Sequence, residues 1–334
     1  MSMSKIPARR QGASRHAARG GPDADRVAFT LHPLPPFDFD LSASIFSPGD
    51  PSIRSYSGGT FRQAIRIDGG LALVTVTSGG TVDRPELRVR VDPGPASPGE
   101  REAAGRTITS LFNLGLDLSL FVEAVKDDPV MSALSRRLRG LKPPRTPTVF
   151  EALTDSIIEQ QISLAAAQSM ERRVVRTFGD TLETGGETYY AFPTPARLAG
   201  AAPEELRACG LSGKKAEYII GIASRIRDGD LDLENHGPAE DTEAVIREFS
   251  TLRGVGVWTA ELAALRGLSR LDAIPADDIG IRRSISWYYS KTSRIDTAEA
   301  RQIAEGWGAW KGLAAYYLLV AERMGIRVDE PASR

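Results

Sequence analysis

The sequence predicts an α+β fold in which a small antiparallel sheet domain is followed by an all-α domain. A change of apolar period carries that reading: from about residue 27 hydrophobic residues alternate, and from Thr148 onward they recur every three to four positions. Size is the second observation. At 334 residues, 41% hydrophobic and 25% charged, the chain has the composition of a globular protein with room for two cores. The expected organisation is a disordered basic tail at 1–25, an antiparallel α+β domain at 26–125 and an all-α domain at 126–330.

Taken in order, the first 25 residues carry Lys5, Arg9, Arg10, Arg15 and Arg19 against Asp23 and Asp25. They show no apolar period, which suits a solvated tail, with weak attraction for phosphate or with no role. FRQAIRI (61–67), then Asp68, Gly69 and Gly70, then LALVTVTS (71–78) spell a hairpin, and ELRVRV (86–91) a further strand. Ser97, Pro98 and Glu100 set a capping box with proline at the first helical position, so a helix runs to about Leu111. Thr148 and Glu151 repeat the box ahead of Phe150, Leu153, Ile157 and Ile158, which share one helix face. From there every stretch reads as helical, through TEAVIREFSTL and WTAELAALRGL to AEARQIAEGWGAWKGLAAYYLLVAERM, with short loops marked by Gly or Pro.

Composition excludes several classes. No apolar run approaches the length of a membrane span and no charged-then-apolar leader opens the chain, so a soluble cytoplasmic protein is expected. One cysteine, Cys209, makes no internal disulfide, and three scattered histidines add no cysteine-rich zinc or iron–sulfur site. The net charge of −1 neither requires nor forbids nucleic acid, because binding depends on where charge sits.

Two short motifs carry chemistry. TEAVIREFSTL, LRGVG and VWTAELAALRGL read as helix, tight turn, helix, with glycines at 254 and 256 that permit positive φ and close approach of another backbone. Such a turn is either a structural link or an anion cradle, in which the free amides of a helix start grip a phosphate. A dinucleotide fold is excluded, since a helix precedes the turn and no third glycine follows. The second motif, AIPADDIGIRRSI, sets Pro275 and an acidic pair, Asp277 and Asp278, at a helix start, with Ile281 and Ile285 facing the core and Arg282 and Arg283 outward.

Together these residues resemble the helix-hairpin-helix DNA glycosylase superfamily: a Gly-x-Gly hairpin, a helix, and then Asp278, Ile281 and Arg283 in Asp-x-x-Ile-x-Arg spacing. FEALTDSIIEQQISLAAAQSM (150–170) and GLSGKKAEYIIGIA (210–223) are similar to the helices upstream of that hairpin. LHPLPPFDFDLS with its strands resembles the extra sheet domain of the AlkA-type 3-methyladenine DNA glycosylase II branch, so the likeness covers roughly residues 27–325.

The resemblance implies a base excision enzyme that flips a damaged nucleotide from double-stranded DNA and hydrolyses its N-glycosidic bond. It gives Asp278 the catalytic carboxylate role, leaving Asp277 to cap the helix. It places Trp258, Leu262, Ile279 and Leu319 in the base pocket, with Ile45 from the sheet domain, and Gly254, Gly256, Val257, Thr259 and Arg283 against DNA. Gln161 matches the residue that fills the gap left by the flipped nucleotide. Strand-cutting relatives carry a lysine where this chain has Trp258, and an indole forms no Schiff base, so monofunctional hydrolysis follows.

An indole also stacks on a cationic base, which favours 3-methyladenine and 7-methylguanine, with hypoxanthine, ethenoadenine and 1-methyladenine left open. No cofactor is expected beyond an optional monovalent cation, Na⁺ or K⁺, on the carbonyls of Leu252, Val255 and Val257. A monomer that touches no membrane is expected, associated with the nucleoid in a bacterial cell. The alternative from another class is a noncatalytic helix-hairpin-helix DNA-binding protein.

Overall fold

The computed structural model describes residues 28–47, 49–67, 70–290 and 294–328. The basic tail and residues 68 and 69 of the expected hairpin turn lie outside the described residues. The period-two region forms a five-stranded antiparallel sheet in the order β1-β5-β4-β3-β2. Its strands are β1 Phe29–Leu31, β2 Arg54–Ser57, β3 Thr60–Ile67, β4 Gly70–Ser78 and β5 Leu87–Asp92.

Alternation sets the register of this sheet. β5 buries Leu87, Val89 and Val91 between Arg88 and Arg90, and Val89 lies opposite Val76, which lies opposite Phe61. Helix α2 (Pro98–Leu111) covers the apolar face with Ala104, Ile108 and Leu111. Its capping box is formed in full: the Glu100 N–H donates to Ser97 Oγ, and the Ser97 N–H donates to the Glu100 carboxylate. The short α1 (Phe39–Ala43) and a 3₁₀ turn, Ser44–Phe46, close the end of the sheet.

The remaining helices are α3 Leu118–Ala124, α4 Pro129–Arg137, α5 Val149–Glu159, α6 Leu164–Phe178, α7 Pro195–Ala199, α8 Pro203–Ala208, α9 Gly213–Arg227, α10 Thr242–Ser250, α11 Val257–Leu268, α12 Ile279–Tyr289, α13 Thr297–Glu305 and α14 Lys311–Arg323. They pack into two cores. One joins Leu153 and Ile157 of α5 to Ile219 of α9, Phe249 of α10 and Ala260 of α11. The other joins Ile281 and Ile285 of α12 to Trp307 and Leu318, and it includes Leu118 and Phe121 of α3. The segment between α11 and α12 therefore crosses from one helical core to the other.

Two expectations for the helical region are corrected. TLETGGETYY is a two-stranded ribbon, β6 Thr181–Thr184 and β7 Glu187–Tyr190, turned by Gly185 and Gly186 at φ +62° and +81°. Its polar flanks conceal the period, and the Tyr190 N–H reaches Ser52 O at 2.7 Å beside the sheet domain. The long C-terminal stretch is also not one helix: a 3₁₀ turn, Gly308–Trp310, opened by Gly308 at φ +53°, lies between α13 and α14.

Lys142, in the loop between α4 and α5, is fully buried, and its ammonium donates to the carbonyls of Leu34 (2.8 Å) and Leu114 (2.9 Å). Burial pulls its pKa down to about 8.

Candidate active site

The hairpin between α10 and α11 is shaped by one glycine and left open by the other. Gly254 takes φ +88°, and a Cβ there would lie 2.1 Å from the Tyr218 ring of α9, so only glycine fits. Gly256 was expected to use the same freedom, but its backbone is extended (φ −88°), and no atom lies within 4 Å of a Cβ built on it. Its lack of a side chain leaves the space in front of the helix clear. As the N-cap of α11 it also has no side chain to bond the first amides, and the first helical bond it accepts comes from Ala260. The amides of Val257, Trp258 and Thr259 thus form an uncapped, electropositive start.

A neighbouring turn is fastened to this hairpin. Gln160, the residue that ends α5, donates from Nε2 to Gly254 O and to Thr259 Oγ1, each at 2.9 Å. Lys215 of α9 donates to the carbonyls of Ile158 and Gln160, each at 2.8 Å, and so closes the C-terminus of α5. Gln161 follows at φ +55° with its side chain exposed, and Leu164 at the start of α6 is exposed beside it. Sequence reasoning singled out Gln161 and missed Gln160, whose partners are more than ninety residues away. The Thr259 side chain is 2% exposed and accepts from Gln160, which leaves the backbone amide of this residue at the open helix start.

Asp278 stands at the other end of the crossing segment. It is the N-cap of α12, and its Oδ1 accepts the Ile281 N–H at 3.0 Å. The expected division between the two aspartates is therefore reversed for capping: Asp277 turns away and accepts the Thr297 hydroxyl at 2.7 Å. A side chain at Gly280 would crowd Asp278 Oδ1 and meet Leu319 of α14, so both lie beside Gly280.

Trp258 and Leu262 lie one turn apart on α11, the first half-buried and the second buried. The indole Nε1 is enclosed and has no hydrogen-bond partner. Ile279 is 74% exposed and Ile45 is also exposed, so neither is packed into the interior. Arg283, expected to face DNA, is ion-paired with Glu322 of α14 at 2.7 Å, and Glu322 also accepts from the Ser284 hydroxyl. Val257 is exposed, while Leu252 and Val255 are buried, with the Leu252 carbonyl accepting the Val255 N–H at 3.0 Å.

A cleft of about 390 Å³ lined by Asp50, Arg172, Arg173 and Arg176 opens between α6 and the sheet domain and shares no residue with this site. Among the described residues no helix is long and apolar enough to cross a membrane.

The site thus comprises an uncapped helix start, a turn pinned beside it and a carboxylate held at the next helix start, and comparison with known proteins gives the family. The family described as HhH-GPD superfamily base excision DNA repair protein matches residues 154–309. The DNA-3-methyladenine glycosylase of Bacillus subtilis is 34% identical over 227 residues, covering 68% of this chain and 75% of that protein. DNA-3-methyladenine glycosylase 2 of Escherichia coli is 33% identical over 191 residues, covering 57% and 63%. The 3-methyladenine DNA-glycosylase structure from Archaeoglobus fulgidus superposes with a TM-score of 0.77 at 28% identity, over 88% of this chain and 98% of that one. The chain belongs to the HhH-GPD superfamily of base excision DNA repair proteins, in its DNA-3-methyladenine glycosylase branch.

Proposed function

We propose that this protein is a monofunctional DNA glycosylase that hydrolyses the N-glycosidic bond of alkylated purines, with Asp278 as the catalytic carboxylate. The observation that carries the reading is the pairing of an open helix start at Gly256 with a carboxylate fixed by its own helix start at Asp278. The amides of Val257, Trp258 and Thr259 hold a DNA phosphate, and Gln161 fills the gap in the base stack. As the glycosidic bond breaks, its electron pair leaves with the base and positive charge builds on the sugar. The Asp278 carboxylate stabilises that charge and takes a proton from the water that adds to the sugar carbon.

The lesion class follows from Trp258, whose indole stacks on a cationic alkylpurine in preference to a neutral base. The Escherichia coli and Bacillus subtilis relatives carry 3-methyladenine in their names, which supports the same class. Strand cutting needs an amine at the sugar. Position 258 has none, and the amine of Lys215 is occupied by two carbonyls.

The enzyme acts as a monomer on double-stranded DNA in the cytoplasm and needs no cofactor for chemistry. The carbonyls of Leu252, Val255 and Val257 are neutral hard oxygens that suit a monovalent cation lying between hairpin and phosphate, though Leu252 O already accepts the Val255 N–H. Mass spectrometry of bases released from methylated DNA tests the reading. Release of 3-methyladenine and 7-methylguanine is expected, with no borohydride-trapped adduct, whereas absence of any released base would favour a noncatalytic DNA-binding protein.

A further inference from the structure

The segment from Ser269 to Asp278 joins α11 to α12, and helices α13 and α14 are both bonded to it. Ala273, Ile274 and Ala276 in it are buried, and two tight turns close its end: the Ala276 N–H reaches Ile274 O at 2.8 Å and the Asp278 N–H reaches Pro275 O at 2.9 Å. Thr297, the first residue of α13, donates its hydroxyl to Asp277 at 2.7 Å. One turn on, Arg301 donates to Glu261 of α11 at 2.7 Å and reaches Ile274 O at 3.5 Å. The start of α14 is bonded to the same segment. Its N-cap, Trp310, offers no side-chain cap, and the Gly312 N–H donates to Leu271 O at 2.7 Å. A Cβ at Gly312 would lie 2.4 Å from Ala273 O and 3.1 Å from Leu271 O, so only glycine lets helix and segment approach this closely.

These anchors decide where the Asp278 carboxylate stands. Among the described residues it has one hydrogen bond, from the Ile281 N–H of its own helix, and none from another element. Its direction is therefore inherited from the backbone around it. Apolar packing fixes that backbone only as far as Ala276: Asp277 is exposed and Asp278 half-buried, so the restraint at this end is polar. A group that must meet charge developing on a sugar is sensitive to its placement, and a shift of about 1 Å costs on the order of a hundredfold in rate.

We propose that Thr297 and Gly312 are positioning residues that set the reach of the Asp278 carboxylate toward the sugar. This rests on the reading of Asp278 as the catalytic carboxylate. Thr297 fixes the chain one residue before Asp278 by holding the Asp277 side chain toward α13. It also keeps the second of two adjacent charges turned aside, so that one carboxylate, not two, faces the sugar. Gly312 sets how closely α14 approaches the segment, and a methyl group there must part the two by about 1 Å to reach ordinary contact. Neither residue touches the reacting atoms, so both act through Asp278 and are read in the rate of base release.

The test measures single-turnover release of 7-methylguanine at saturating enzyme, and affinity for an abasic-site duplex, in Thr297→Val, Thr297→Ser and Gly312→Ala beside Asp278→Asn. Thr297→Val keeps the size and loses the donor, so release should slow about fivefold while affinity changes by less than about twofold. Thr297→Ser restores the donor and should release within about twofold of the wild-type rate. Gly312→Ala should slow release by about tenfold to a hundredfold, again with affinity kept. Because Gly312→Ala also disturbs buried packing, the Thr297 pair decides the matter where that variant fails to fold. A wild-type rate in Thr297→Val or in folded Gly312→Ala would overturn the assignment, and so would Thr297→Ser as slow as Thr297→Val. Rate and affinity lost in equal proportion would overturn it too, and make α13 and α14 general supports of the fold. Wild-type release by Asp278→Asn would instead remove the reading of Asp278 itself, and the role of its anchors with it.

Discussion

Helices α11 and α12 begin in opposite ways. At Gly256 the start of α11 has no side chain to occupy its amides and nothing packed in front of it, whereas at Asp278 the start of α12 is closed by its own carboxylate. Most long helices in the described structure follow the second pattern, with Ser, Thr or Asp capping α2, α5, α6, α9 and α10. An open start forgoes about 1 kcal/mol of capping and retains its affinity for an anion from outside. A closed start uses the same amides to aim a carboxylate. The proposed function assigns binding to one helix start and chemistry to the other.

Replacing the proposed reacting group alone gives the largest expected effect. Asp278→Asn keeps a side-chain oxygen for the Ile281 N–H, so the fold and DNA affinity should persist while base release falls about a thousandfold, the scale of losing a preorganised electrostatic group. Asp278→Ala should lose the same activity and a further ~1 kcal/mol of stability by denaturant titration, because the cap is gone too. Next comes Gly254→Ala, which forces a side chain into the Tyr218 ring at positive φ. It should cost about 2–3 kcal/mol of stability and weaken DNA binding with it.

Gly256→Asp converts the open start into a closed one. It should stabilise α11 by up to ~1 kcal/mol yet weaken affinity for abasic-site duplex by about tenfold or more, since the new carboxylate occupies the amides and repels phosphate. The smallest effect concerns the packing between the two starts. Glu261 of α11 is 4% exposed and bonds Arg301 of α13 at 2.7 Å, and burial raises its pKa to about 7. A raised carboxyl pKa favours the folded state at low pH, and that contribution is lost as pH climbs from the ordinary value near 4.5 through 7. The thermal midpoint of Glu261→Gln relative to wild type should therefore rise between pH 4.5 and 7.5.

What the sequence made legible is local. The sharp turn at Gly254, the helix start at Pro275–Asp278 and the capping box at Ser97 each depend on residues within a few positions, and a single chain displays them. The pairs that assemble the site are not local. Gln160 on Gly254 and Glu322 on Arg283 join residues 94 and 39 apart, and nothing in either partner's neighbourhood announces the other. The β6–β7 ribbon escaped for a different reason: its strands are four residues long and polar, too short for a period to show. Family likeness chose Asp278 over Asp277 for catalysis, and local chemistry alone would not have separated them.

The division of labour is tested most directly by measuring, side by side, single-turnover release of 7-methylguanine and affinity for an abasic-site duplex in Asp278→Asn and Gly256→Asp. The account predicts that the first loses release and keeps affinity, while the second loses affinity. Both variants losing the same property in the same proportion would contradict it, and would mean that the two helix starts act as one element.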